Sequence, residues 1–386
     1  MPDGQDTIII RVLDSLAQVP AGEWDACAGA DNPFIRHAFL KALEDSGAVR
    51  AETGWHPQHL VAEDGSGGVL ACAPLYLKSH SYGEYVFDWG WAEAWDRSGG
   101  QYYPKLQCAV PFTPVTGPRL LVRPDDPRPL REALLDGMLQ LAGRLGVSSL
   151  HVTFPTEDEW HLMGQAGFLQ RIGQQYHWEN RGYESFDDFL GDLSSRKRKG
   201  IRKERRAVSD AGVTLRALRG AEIEERHWDA FYDFYCDTTD RKWGPAYLNR
   251  AFFSHLHALM GDDMVLILAE HDGEPVGGAL NLVGGKTLYG RYWGCSERFK
   301  FLHFETCYYQ AIDYAIAHGL ERVEAGAQGQ HKVQRGYLPR ITYSGHWISD
   351  PGFRNAVARF IEEERRMVEL EGQDLIEASP FRKDCS

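Results

Sequence analysis

Apolar positions recur along the chain with two periods, one near two residues and one near 3.6, and their alternation marks out strands and helices. The first half opens with a strand over Ile8–Leu13. Helical spacing follows at Glu23–Cys27 and Phe34–Asp45. Strands are predicted at 57–63, 69–78 and 84–89, a helix at Pro129–Leu145 and a strand at Ser149–Phe154. A short helix at Glu157–Gln165 leads to a strand at Phe168–Trp178. The second half carries helices over 184–210, 221–239 and 247–260. Strands come next at 263–270, 275–283 and 286–293, then a helix at 303–318. Strands at 321–325 and 341–348 and a helix over 351–371 complete it. This order predicts an α/β fold: a mixed sheet with helices on both faces.

The two halves echo each other. Residues 60–77 read LVAEDGSGGVLACAPLYL, and residues 267–283 read ILAEHDGEPVGGALNLV. Both are an apolar strand ending in Ala-Glu, a turn at Asp64-Gly65 or Asp272-Gly273, and a strand of small and apolar residues, which is a hairpin signal. Tyr85…Trp89-Gly90 loosely matches Tyr289…Trp293-Gly294. Such spacing is too long for a solenoid repeat and indicates a duplicated domain. The expected division is 1–180 and 181–386, and 386 residues exceed what one core usually serves.

Composition narrows the function. The charged fraction of 25% and hydrophobic fraction of 43% exclude disorder and coiled coil. The seven cysteines are scattered without a C-x-x-C, which argues against a disulfide framework and a cysteine zinc site. His56…His59 and His255…His257 are the only tight histidine pairs, neither has HExxH spacing, and no metal is expected. The N-terminus lacks the pattern of a signal peptide, and no apolar run reaches the ~20 residues of a membrane span, so a cytoplasmic protein is expected. The net charge of −13 excludes nucleic-acid coating by bulk charge. It is uneven: residues 1–180 hold 13 basic and 23 acidic residues, and the remainder 29 and 32. An amine acceptor suits the first half and an anionic donor the second.

Eight of the eleven residues from Arg196 to Arg206 are basic: Arg196, Lys197, Arg198, Lys199, Arg202, Lys203, Arg205 and Arg206. Leu193, Ile201 and Val208 form one apolar stripe, so the helix docks one face and leaves the rest wet. Ser194 or Ser195 is the expected N-cap. Positive charge opposes the dipole at a helix start, and a bound phosphate reverses that cost. A solvated charged helix is the plain alternative to an anion or RNA-backbone site.

Three stretches gather polar and aromatic side chains. One contains Arg241, Lys242 and Trp243; one runs Tyr289–Gly294 and continues to His303 and Glu305; one runs Glu324–Lys332 with Arg335. The last two fall at strand ends or the next helix start, where ligands gather in such sheets. The first half offers His80, Glu84, Asp88, Tyr102, Tyr103 and Lys105 as an acceptor site, against the alternative of hydrogen bonds within an aromatic-rich sheet.

The runs GAQGQHKVQRGYLP (326–339), LYGRYWG (288–294), LHFETCYYQAI (302–312) and YGEYVFDWGWA (82–92) resemble the FemAB-like N-acyltransferases, bacterial members of the GNAT superfamily. The resemblance runs from NPFIRHAFL (32–40) to the final helix. It implies two tandem GNAT-like domains and acyl or aminoacyl transfer to an amine, in the setting of peptidoglycan biosynthesis. The segment LSSRKRKGIRKERRAVSDAGV is similar to a basic segment of Fem-type enzymes, whose donor is aminoacyl-tRNA. Gln330 stands where the family pattern has Glu.

The donor is thus expected to be aminoacyl-tRNA or an acyl-coenzyme A, with no tightly bound cofactor. Coenzyme A binders of this superfamily hold the pyrophosphate on a Q/R-x-x-G-x-G/A loop. Arg241–Ala246 and Arg291–Ser296 are near matches, but the first contains Pro245 and the second ends in Ser. In the expected chemistry Glu305, with His303, takes the amine proton, and Glu324 is the next choice. Backbone N–H groups near Arg291–Trp293 steady the oxyanion, and Tyr292 protonates the leaving group. Arg241, Lys242, Trp243, Arg291, Trp293, Lys332 and Arg335 bind the donor, while Gln328 and His331 orient the substrate. A non-catalytic RNA- or peptide-binding module is the rival from another class.

Overall fold

The computed structural model describes residues 8–242, 246–296, 299–326 and 329–382. Its strands are β1 (Ile9–Leu13), β2 (Trp55–Pro57), β3 (His59–Glu63), β4 (Val69–Ala73), β5 (Leu75–Lys78), β6 (Lys105–Cys108), β7 (Leu121–Val122), β8 (Ser149–Thr153), β9 (Leu169–Glu179), β10 (Val213–Arg219), β11 (Met264–His271), β12 (Glu274–Gly284), β13 (Thr287–Cys295), β14 (Arg322–Glu324) and β15 (Leu338–Ile348). Its helices are α1 (Ala21–Ala28), α2 (His37–Asp45), α3 (Trp89–Arg97), α4 (Leu130–Leu145), α5 (Glu157–Gln165), α6 (Phe186–Asp192), α7 (Ser195–Asp210), α8 (Glu225–Lys242), α9 (Arg250–Met260), α10 (Leu302–Phe304), α11 (Gln310–Ala317) and α12 (Pro351–Glu377). A π turn over Glu305–Tyr309 joins α10 to α11.

The chain forms two compact units. Unit 1 comprises Met1–Gly173 and Ile341–Val368; unit 2 comprises Gln174–Arg340 and Glu369–Ser386. The single cut expected at 180 therefore gives way to a discontinuous division. Its cause is a strand exchange. Residues 344–348 of β15 pair with 149–153 of β8, and Ile348 joins the unit 1 core. Residues 177–179 of β9 pair with 322–324 of β14, and Trp178 joins the unit 2 core.

Unit 1 holds a small sheet, β1-β3-β4-β7, and the strands β2-β5-β6-β8-β15. Leu134, Leu135, Met138 and Leu141 of α4 pack into its main core. Gly146, at φ 63°, ends α4 in the left-handed conformation that suits glycine. Thr156 and Glu159 form a capping box on α5. Unit 2 orders its strands β10-β11-β12-β13-β14-β9. Tyr308, Tyr309, Ile312 and Ala315 pack into its core together with Ile201 of α7. Trp228 of α8 stacks on Phe253 of α9, and Phe231 meets the same ring edge-on. In both units a helix connects two parallel strands, α4 between β6 and β8 and α11 between β13 and β14.

Both hairpins of the echo form, β3–β4 and β11–β12. Asp272 and Gly273 both take positive φ, 52° and 85°, as a two-residue hairpin turn requires. The first turn is wider than expected. Asp64 Oδ1 accepts from Ser66 N and Gly68 N, and Gly67 rather than Gly65 takes positive φ.

Other expectations change. The predicted strand at 84–89 is irregular chain running into α3, because Glu84 and Asp88 turn inward to Lys105. The match of Tyr85–Gly90 to Tyr289–Gly294 is therefore one of letters only. The predicted strands 57–63 and 69–78 each break, the second at Pro74, so that their halves serve different sheets. The helix predicted over 184–210 breaks at Leu193, which is buried, and Ser194.

Candidate functional site

In unit 2, a bulge in β13 begins the site. Leu280 opposes Tyr292 and Asn281 opposes Gly290, so Arg291 is an extra residue in β13. Pairing with β14 covers only Thr287↔Arg322 to Tyr289↔Glu324. Beyond that point β13 stays with β12, while Ala325 and Gly326 exchange backbone hydrogen bonds with Tyr176 of β9. The two parallel strands part. Gly294 allows α8 to approach β13, since a Cβ there would lie 2.1 Å from the Phe234 carbonyl oxygen.

Arg291 does not reach for a ligand. Its Nη2 donates to Glu324 Oε2 at 2.9 Å and its Nη1 to the Gly290 carbonyl. Both side chains are almost wholly buried, at 1% and 4% exposure. Glu324 also lies 3.9 Å from His177, whose pKa burial pushes down to about 4. The donor role expected of Arg291 and the base role considered for Glu324 thus give way to a buried ion pair. Residues 291–295 lie within a strand, which removes the second near match to a pyrophosphate loop. Tyr292 packs edge-on against Tyr235 of α8, on the other face of β13 from Trp293.

Trp293, His303, Phe304, Tyr308 and His331 make a cup beside the parted strands. The ring of His303 lies 5.3 Å from that of Trp293 and 6.1 Å from that of His331. Tyr308 Oη and His331 Nε2 are 3.1 Å apart. Trp293 and His303 are half-buried and His331 is exposed. Gly329, at φ 102°, permits this placement, because a Cβ there would meet the His331 ring at 2.5 Å.

Lys332 and Arg335 follow His331 and are buried. Lys332 Nζ donates to the carbonyls of Ala325 at 2.5 Å and Gly326 at 3.3 Å, and lies 5.6 Å from the Tyr176 ring. Burial pushes its ammonium down to about 7. Arg335 stacks 3.5 Å over Phe304 and donates to both oxygens of Glu204 at 2.9 Å.

Glu305 has a different setting from the one its position suggested. It is buried, and its Oε1 accepts from Arg205 Nε at 3.2 Å and Gln310 Nε2 at 2.8 Å. Arg205 Nη2 also donates to Asp313 at 2.6 Å. Burial pushes the Glu305 carboxyl up, while Arg205 draws it back. Glu305 is therefore the partner of an arginine on α7, while His303 and His331 are the imidazoles of the cup.

The basic helix divides by face. Ile201 and Val208 are buried. Glu204 turns inward to Arg335 and Tyr309, Arg205 to Glu305, and Lys197 bonds Gln334. Arg196, Lys199, Arg202, Lys203 and Arg206 are exposed, and Arg198 is half-buried. Ser194 is the N-cap by position, without a capping bond from its side chain. Trp243 and Gln328 lie outside the described residues, as do the side chains of Arg241 and Lys242.

In unit 1 the acceptor candidates form a sealed network. Lys105 Nζ donates to Ser81 at 2.8 Å, Glu84 at 2.7 Å and Asp88 at 2.5 Å. Tyr102 Oη donates to Asp88 at 2.7 Å and lies 3.3 Å from His151. His151 and His346 meet at 2.8 Å, and burial pushes His151 down to about 3. Burial pushes Glu84 up to about 7. It pushes Asp88 the same way, but Lys105 overrules it and holds that carboxyl well below the usual range. Lys78, over the Trp55 ring at 3.6 Å, is pushed down to about 7 by burial. Only His80 and Tyr103 of the six candidates are half-buried; the other four are buried. Direct acceptor contact is thus replaced by internal hydrogen bonding for Glu84, Asp88, Tyr102 and Lys105. Sequence reasoning missed Lys78, His151 and His346, which no local spacing joins to Lys105.

Among the described residues no group of three or more His, Cys, Asp or Glu is placed to hold a metal ion. No described helix is long and apolar enough to cross a membrane.

A family model described as peptidoglycan biosynthesis/recognition matches residues 15–383. The chain belongs to the FemAB-like family. The crystal structure of FemX superposes with a TM-score of 0.56 at 13% identity, covering 88% of this chain and 98% of that one. The structure of L-PGS from Bacillus licheniformis superposes with a TM-score of 0.52 at 12% identity, covering 86% and 98%. No curated protein matches the sequence. The fold is mixed α/β with two tandem GNAT-like domains, as the resemblance implied.

Proposed function

We propose that the protein is an N-acyltransferase that moves an aminoacyl group from aminoacyl-tRNA to an amine, with a peptidoglycan precursor as acceptor. The observation that carries this reading is the parting of β13 and β14 beside a cup holding His303 and His331. Two strands that separate leave backbone donors and acceptors for an extended acyl donor and its carbonyl oxygen. A neutral amine attacks the donor's ester carbon, the N–C bond forms, and the bond to the ribose oxygen breaks. His303 takes the amine proton and returns one to the leaving oxygen. The exposed Arg196, Lys199, Lys203 and Arg206 hold RNA phosphates, which favours a tRNA donor over coenzyme A. The strand conformation of 291–295 also weakens the coenzyme A reading.

A transfer assay with charged tRNA and with acyl-coenzyme A tests the proposal. Labelled product from charged tRNA is expected. Labelling from acyl-coenzyme A alone overturns the donor. RNA binding with no transfer from either donor favours a non-catalytic RNA-binding module.

A further inference from the structure

A groove of about 400 Å³ runs between α6 and α7, lined by Phe186, Asp187, Arg202, Arg205 and Arg206 among others. Three guanidinium groups on one turn and a half of helix meet one concave surface. Arg206 is exposed and faces no carboxylate among the described residues. Among the described residues, Arg202 is held by Asp187 on the surface, at 2.8 Å. Arg205 differs from both. It stacks 4.3 Å over Phe186 at the groove wall while its nitrogens reach inward to Glu305 and Asp313. Glu305 Oε2 is buried with no hydrogen-bond partner.

We propose that this groove is a binding site for a phosphate-type anion, with Arg205 joining the bound anion to the Glu305–Asp313 pair beneath it. Planar guanidinium groups match the oxygens of a tetrahedral anion in a way that ammonium groups do not. The flat Phe186 ring holds one guanidinium in place, which lowers the ordering cost of binding. The proposal does not rest on aminoacyl-tRNA being the donor.

The charges facing the groove set a pH dependence. α7 supplies Arg202, Arg205 and Arg206; α6 supplies Asp187; the π turn supplies Glu305; α11 supplies Asp313 beside the neutral Gln310. With all three carboxylates ionised the set is neutral, and an anion gains little. Burial pushes Glu305 and Asp313 up, so an anion that draws on Arg205 favours their protonation. Anion binding is therefore coupled to proton uptake and is tighter at lower pH.

Calorimetric titration with sulfate, a dianion throughout pH 6–8, tests this, with a short RNA hairpin as a second arm. Saturable binding is expected, and the surface double variant Arg202→Gln/Arg206→Gln should weaken it at least about tenfold. Binding should tighten as pH falls, and Glu305→Gln should reduce that dependence while keeping the site. Competition between the hairpin and sulfate assigns the site to RNA phosphodiesters; sulfate binding without competition assigns it to a free phosphorylated ligand. If neither probe saturates, or if the double variant binds both as tightly as the parent chain, the proposal is wrong.

Discussion

In unit 1 β6 and β8 run parallel with a helix between them, and in unit 2 β13 and β14 do the same. Past the ends of these strands the two units diverge. In unit 1 the chain after β6 folds over the strand ends. Gly117 N donates to the Phe154 carbonyl, and Arg119 Nε to that of Thr153. Glu159 accepts from the backbone N–H groups of Arg119 and Leu120. Arg119 is fully buried and directs its remaining donors to the carbonyls of Val115, Gly117 and Pro118. In unit 2 the strands part and the cup beside them contains an exposed histidine. The same topology thus gives a closed end and an open one. The buried polar groups differ in kind as well: unit 1 keeps Lys105 fully enclosed by carboxylates, while unit 2 keeps His303 and His331 within reach of solvent.

The largest effect that would test this contrast is in unit 1. Lys105→Met leaves Glu84 and Asp88 buried without their shared cation, which should cost about 3–5 kcal/mol of stability by chemical denaturation. A loss under about 1 kcal/mol would show the network to be wet rather than sealed. In unit 2, His303→Ala should lower transfer turnover at least about a hundredfold, with the denaturation midpoint nearly unchanged. Turnover near the parent value would move the base off His303.

The next effect is one of pH. Lys332 binds its proton less readily in the folded chain, where its amine sits at about 7 instead of 10.5. The unfolded chain then binds more protons between those values. Stability is full above the higher one and falls as pH drops towards 7. The fall between pH 9.5 and 7 is on the order of 3 kcal/mol, and Lys332→Met should remove it. An unchanged slope in that variant would place the titration elsewhere. The smallest effect belongs to the exposed face of α7. Arg206→Gln should change stability by no more than about 0.5 kcal/mol while weakening anion binding.

Much of this was legible in the chain. Ile201 and Val208 are buried on α7 as their spacing requires, because a helix in water has one way to hide such a stripe, whereas Leu193 is buried outside the helix at its break from α6. The Asp272-Gly273 hairpin followed from turn chemistry. Trp293, His303, Tyr308 and His331, from three of the candidate segments, meet at one place, since strand ends and helix starts lie on the same side of a parallel pair. Partnership was not legible. Glu305 stood where a catalytic carboxylate would be sought, and only the fold shows Arg205 and Gln310 on it. Arg291 read as a donor contact until the bulge turned it onto Glu324.

The sequence by itself determined most of the elements, the family, the basic segment and the candidate segments, because periodicity and turn residues act over short stretches of chain. Tertiary structure alone decided three things. It set the strand exchange, which depends on register between residues nearly two hundred apart. It set the protonation of Lys332, Glu84 and His151, which depends on how completely each is removed from water. It also decided which end of a repeated topology stays open, because that depends on where a loop folds back and finds carbonyls to bond.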